Sequence, residues 1–167
     1  MEIGTQRGIV DRMIGAARLD VDTYEEVEAD QSATGQAALV VVIVALASAI
    51  GSLGDGGIAV VTGLLSAIVG WLLWAGITYV IGDKVFGGTA TWGELLRTLG
   101  FAQAPGVLLV LGIIPLLGGL VQAVVGIWML VAGIIAIRQA LDFSTGRAIL
   151  TAIIGWIPLA IATWILF

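Results

Sequence analysis

From Ala37 to the last residue the chain is apolar almost without interruption, and the few polar clusters within that stretch cut it into lengths of membrane-span size. A hydrocarbon layer of about 30 Å needs about 20 apolar residues per helix. The first span is expected over about 37–53, ending in the glycine-rich turn Gly51-Ser-Leu-Gly-Asp-Gly-Gly57. The second runs over about 58–81 and stops at Gly82-Asp-Lys84, with Phe86-Gly-Gly-Thr89 as a loop. The third occupies about 94–115 and carries Pro105 in its middle; the fourth and fifth cover about 120–137 and 147–166.

The first 36 residues follow a different pattern. Ile3, Val10, Met13, Ile14 and Ala17 fall on one face of a helix, with Gln6, Asp11, Arg12 and Arg18 mostly opposite. That spacing predicts a short amphipathic helix lying on the membrane surface, although Gly4, Gly8 and Gly15 weaken it. Residues 19–36 form the only long hydrophilic stretch. Asp22 or Thr23 can cap a helical turn through Val27, and Ser32 or Thr34 can cap the first span. The chain thus divides into an N-terminal arm, 1–36, and a membrane domain, 37–167.

Composition agrees with the pattern: 59% of the 167 residues are hydrophobic and 11% charged, against roughly 25% charged in soluble domains. Mean hydropathy is +1.10. No cleavable signal peptide is read in the polar N-terminal segment. Charge then sets orientation, because cytoplasmic loops gather Lys and Arg. The seven basic residues are Arg7, Arg12, Arg18, Lys84, Arg97, Arg138 and Arg147. With five spans they all fall on one side, giving N-in and C-out; an even number of spans breaks the pattern.

The third span is irregular. Pro105 removes a backbone hydrogen bond and is expected to kink the helix. Glu94 and Arg97 are spaced to pair on one helix face. An unpaired arginine at the bilayer centre costs about 2.5–3.5 kcal/mol, so Arg97 is placed at the helix end, its head snorkelling to the headgroups. The plain alternative is an interfacial ion pair without functional consequence. Small residues four apart, such as Ala47 with Gly51, Ser66 with Gly70, Ala132 with Ala136 and Thr151 with Gly155, permit close helix packing. Trp92, Trp156 and Trp164 suit the two interfaces, while Trp71, Trp74 and Trp128 lie deeper as packing or lipid-facing bulk.

Candidate chemistry is sparse. The chain has no cysteine and no histidine, which removes thiolate and imidazole nucleophiles and the usual zinc ligands. The net charge of −5 argues against nucleic acid. No phosphate-binding loop is present, since Gly54-Asp-Gly-Gly57 lacks the following Lys-Ser/Thr. The acidic run Asp20, Asp22, Glu25, Glu26, Glu28 and Asp30 reads as a solvated face, and no ionisable residue lies mid-membrane as a pump requires. No catalytic, cofactor-binding or metal-ligating residue is assigned.

Trp92-Gly-Glu-Leu-Leu-Arg-Thr-Leu-Gly100-Phe101-Ala-Gln-Ala-Pro105 resembles the Gly-Tyr-x-x-x-Pro signature of the Yip family, the Ypt/Rab-GTPase-interacting membrane proteins. The stretch from Ile135 through Arg138 to Arg147 and Ala148, and the segment Asp30–Ala37, look like the fourth loop and the first-span approach of its prokaryotic branch. The resemblance covers most of residues 20–166 and implies five spans with a cytoplasmic N-terminus. Eukaryotic members bind small GTPases and help shape vesicles. The family's Asp-Leu-Tyr and Gly-Pro elements are not reproduced here; Asp22-Thr-Tyr24 is a partial echo, which argues against GTPase binding. The resemblance implies the cytoplasmic membrane of a prokaryote as the location.

The expected function is that of a non-enzymatic polytopic membrane protein, a scaffold or small accessory subunit acting by helix–helix packing. The alternatives are a membrane-shaping, trafficking-like protein and a transporter of a small solute or lipid. Expected partners are membrane lipids and other transmembrane proteins or a second copy. Glu94, Arg97, Gly100, Phe101, Pro105, Arg138 and Arg147 are the candidate structural or partner positions.

Overall fold

Two short helices precede the first long apolar helix, the second of them in the hydrophilic stretch where a helical turn through Val27 was expected. The computed structural model describes residues 7–52 and 59–166. Ile3, Gln6 and the turn residues Leu53–Gly57 lie outside the described residues, as does the side chain of Trp164. The order is α1 Ile9–Ala17, α2 Val21–Ala29, α3 Ala33–Gly51, α4 Ala59–Tyr79, α5 Trp92–Phe101, α6 Gly118–Ala140 and α7 Thr145–Leu166. A wide π-helical turn, Val80–Val85, continues α4, and a tight 3-10 segment, Ala104–Ile113, follows α5. No strand occurs among the described residues.

The chain builds an integral membrane bundle. Four stretches among the described residues are long and apolar enough to cross a bilayer: Ala33–Gly51, Thr62–Val85, Trp92–Ile113 and Gly118–Ala140. Each begins or ends within a few residues of an expected boundary. Exposed apolar side chains such as Leu46, Leu65, Ile127 and Ile153 form the outer belt, which suits hydrocarbon and not water. The α7 helix is apolar over Thr145–Ile157.

Local chemistry explains where the helices begin and stop. Thr91 starts α5 with a capping box: its hydroxyl accepts from the Glu94 amide, and the Glu94 carboxylate accepts from the Thr91 amide at 2.8 Å. The α1 and α6 helices end without glycine. Leu19 (φ 63°) and Asp142 (φ 54°) take the left-handed conformation, and the amides of Asp20 and Phe143 reach back to Gly15 O and Arg138 O at 3.0 and 2.9 Å, closing Schellman turns. Asp20, rather than Asp22 or Thr23, leads α2, and its carboxylate accepts from the Thr23 hydroxyl at 2.6 Å. Ser32 leads α3, but its hydroxyl bonds Asp30 Oδ1 rather than the helix.

Pro105 does not kink a continuous helix. The α5 helix ends at Phe101 and the chain tightens into ten residues of 3-10 helix with Pro105 at its second position. Such runs seldom exceed three or four residues. The tighter winding rises about 2.0 Å per residue against 1.5 Å, so α5 and this segment together span a bilayer that either alone could not cross. Close packing holds it in place. Gly112 lies against Gly51, a Cβ at Gly106 would meet Val44 at 2.5 Å, and one at Gly100 would meet the Ala37 Cβ at 2.8 Å.

Candidate functional site at the N-terminal hairpin

The sequence separates Arg12 of α1, with Arg7 just before that helix, from the acidic residues of α2 by a turn of three residues, Arg18-Leu19-Asp20. Folding that turn puts the opposite charges face to face. Gly15 makes the approach possible, since a Cβ there would collide with Thr23 of α2. Tyr24, fully buried, donates from its hydroxyl to Ala16 O at 3.0 Å, tying the two helices at the turn.

Arg12 is the centre of this hairpin and is 1% exposed. Its Nε donates to Glu26 Oε1 at 3.0 Å, one Nη to Asp30 Oδ2 at 2.7 Å and the other to Gln36 Oε1 at 3.0 Å. Three elements, α1, α2 and the start of α3, are therefore joined through one guanidinium, whose rigid fork suits such multiple bonding. Arg7 flanks it, pairing with Glu26 and donating to Thr23 Oγ1 at 3.1 Å. Hydrogen bonds from Ser32 and Arg12 hold the Asp30 carboxyl below its ordinary range. The expectation that Arg12 sits on a solvated polar face of a helix flat on the membrane is thus corrected. Pairing with α2 overrides the hydrophobic pattern of α1, whose Val10 and Ile14 point outward instead.

The hairpin is fastened to the bundle at three further points. Arg97 of α5, 5% exposed, donates from Nε to Val27 O at 2.9 Å and to Glu28 O at 3.1 Å. It satisfies the last carbonyls of α2 and places positive charge at that helix's negative end. Trp128 of α6 donates to Ala17 O at 2.8 Å, and Gln139 donates to Glu25 Oε1 at 2.9 Å. Trp128 lies twelve residues before the end of α6 at Ala140, so the tip of the hairpin reaches well down the bundle rather than resting on its rim. The Glu94–Arg97 pair read from the spacing does not form. Glu94 is used in the α5 cap, and the Arg97 head is covered by α2 instead of snorkelling to headgroups.

The other candidate positions fall in different places. Gly100 and Phe101 continue the buried face of α5, Gly100 against Ala37 and Phe101 at 0% exposure. Pro105 opens the 3-10 segment. Arg138 donates to Gln139 Oε1 at 2.8 Å, which in turn holds Glu25. Arg147 lies 5.8 Å from the centroid of the Phe143 ring. Arg12, Thr23, Tyr24 and Trp128 were not among the candidate structural or partner positions read from the sequence. The usable signal was charge complementarity across a three-residue turn.

Glu28 is the electrostatically unfavourable member. It is half-buried, and desolvation, then the carboxylates of Glu94, Asp142 and Glu25, raise its pKa from 4.5 to about 7, with Arg97 opposing. A raised carboxyl pKa means the docked state holds the proton more tightly. Docking is strongest below the ordinary pKa and weakens as pH rises through about 7. We expect the thermal unfolding midpoint in detergent to fall between pH 5.5 and pH 8, by an amount worth about 1 kcal/mol once solvent screening of a half-exposed group is allowed for. Glu28→Gln should abolish most of that slope; an unchanged slope would mean another group carries it.

Among the described residues no group of three or more Asp or Glu side chains is placed to hold a metal ion. What the arrangement can do is fix a charged helical hairpin rigidly against a membrane bundle. A family model described as the Yip1 domain matches residues 21–167. No curated protein and no solved structure matches the chain.

Proposed function

Since the chain belongs to the Yip1 domain family, we propose that it is a non-enzymatic membrane protein that works by association, as a scaffold or small accessory subunit of a membrane assembly, with the docked hairpin as the face it presents. The supporting observation is the Arg12 junction, which spends buried charge on holding α1 and α2 in one orientation. A buried ion pair is weak evidence for stability but suits the specification of a geometry. Exposed on that face are Asp11, Arg18, Asp22 and Glu25, a mixed-charge surface fit for a complementary protein. Purification of the full chain in mild detergent should recover it with a stoichiometric partner or as a defined oligomer, and Arg12→Met should release the partner; a monomer without partners would count against the proposal.

The proposal includes five spans with the N-terminus inside. It is supported by the 22-residue length of α7 and by the placement of the basic residues. Because the chain has no native cysteine, single cysteines at Lys84, Gly118 and Phe143 report sidedness. We expect Lys84→Cys and Phe143→Cys to react from the cytoplasmic side and Gly118→Cys from the opposite side only; cytoplasmic labelling at 118 overturns the arrangement. One observation favours the membrane-shaping reading instead: Val10 and Ile14, 62% and 46% exposed on the outer face of α1, can enter a lipid surface. Val10→Glu with Ile14→Glu should then abolish liposome remodelling, whereas the scaffold reading expects partner recovery to survive these changes.

A further inference from the structure

The bundle is not filled everywhere. The α4 helix packs on α3, α5 and α7, and α6 packs on α5, the 3-10 segment and α7, but α4 and α6 make little contact with each other. Between them runs a groove of about 430 Å³, backed by the junction of α5 and the 3-10 segment. A second lobe of about 580 Å³ extends it outward along α7.

Three glycines line the groove: Gly70 from α4, and Gly126 and Gly133 from α6. A Cβ built on any of them meets no atom within 4 Å. They therefore do not serve close contact between helices of this chain, unlike Gly51, Gly100 and Gly106. Tryptophans stand opposite. Trp71 is pinned by its indole N–H to Leu96 O at 3.0 Å, while Trp74 and Trp156 line both lobes. Among the described residues, Ser66 and Gln103 are the only other polar side chains along the inner lobe.

An empty space of this size forfeits dispersion contacts along its whole lining. Water needs two to four polar partners to occupy a site, and this lining provides few. The surroundings supply a different filler. The outer lobe is walled by Leu130, Ile153, Trp156 and Ile157, which are 55–63% exposed and belong to the same apolar belt that faces the hydrocarbon. The groove is thus continuous with the lipid-facing surface of the bundle.

We infer that the groove between α4 and α6 is a binding site for an acyl chain of a bilayer phospholipid, with its glycines making room for the chain and Trp71, Trp74 and Trp156 forming its wall. This site stands apart from the hairpin and does not depend on the scaffold reading. It gives the protein a defined lipid partner in addition to the surrounding solvent lipid.

Native mass spectrometry of the full chain, extracted in mild detergent from phosphatidylethanolamine–phosphatidylglycerol vesicles, tests the inference. The wild type is expected to retain one phospholipid per chain. Gly126→Leu with Gly133→Leu places side chains where open space exists, so it should keep the wild-type circular dichroism and lose at least ten-fold in lipid occupancy. Gly35→Leu, at a glycine equally free of neighbours but outside the groove, should retain the lipid. Should the double variant not fold, Gly70→Leu fills the groove from the other wall and gives the same readout. A wild type without bound lipid, or groove-filled chains with undiminished lipid, overturns the assignment. So does a wild-type dimer that the filled variants convert to monomer, since the groove would then hold a second copy.

Discussion

Arg12→Met is expected to cost about 3 kcal/mol and to free the N-terminal hairpin from the bundle while leaving the membrane helices in place. Removing one partner of a buried ionic cluster strands the others, at about 3–5 kcal/mol. The lower figure applies because the Glu26 and Asp30 side chains keep 27% and 16% exposure and can rehydrate in part. Methionine preserves much of the aliphatic stem, so the loss reports charge and hydrogen bonding rather than a cavity. Amide hydrogen exchange is the appropriate measurement. Protection in α1 and α2 should collapse, whereas protection in α3 and α6 should persist. Adding Glu26→Gln and Asp30→Asn to Arg12→Met removes the stranded charges and should recover part of the protection, a non-additivity expected of residues in one network. Unchanged exchange in α1 would show that Arg97, Trp128 and Tyr24 hold the hairpin without Arg12.

Gly100→Leu is the second large effect. A Cβ at this position would lie 2.8 Å from the Ala37 Cβ and 3.2 Å from its carbonyl oxygen, so α5 must move away from α3. Overpacking costs about 1–3 kcal/mol and occasionally more. The gain in helix propensity over glycine returns about 1 kcal/mol, and the steric term wins because the neighbour is a Cβ and backbone with no flexible end to swing aside. The thermal midpoint in detergent should fall by several degrees. Gly35→Leu, made in open space outside the groove, should leave the midpoint unchanged or raised. If both behave alike, the α3–α5 approach is looser than these distances imply.

The long apolar helices were legible because hydrophobic length is a one-dimensional property: the boundaries at Ala33, Ala140 and Thr145 lie within a few residues of those read from the pattern. The Gly100–Pro105 motif likewise pointed to the family that the match over residues 21–167 shows. Arg12 and Arg97 were misread for a common reason. Each side chain finds its partner on another element, Arg12 on α2 and α3 and Arg97 on α2 some 70 residues away. Periodicity within one helix carries no information about that. Glu94 was consumed by a local cap, so its spacing to Arg97 was a coincidence of the capping box. The groove was equally hidden, since glycines that admit a neighbouring helix and glycines that leave space read the same way.

The attachment of the hairpin also has a temporal side. Its fastening points are far along the chain: Arg97 lies 70 residues beyond Val27, and Trp128 lies 111 residues beyond Ala17. During synthesis at about 5–20 residues per second, α1 and α2 are made first, yet their docking surface is complete only after α6 has been translated. The closure of such long loops comes late on entropic grounds as well. For several seconds the arm therefore exists as a charged, undocked segment beside a half-built bundle, open to a chaperone or partner that the finished protein no longer admits.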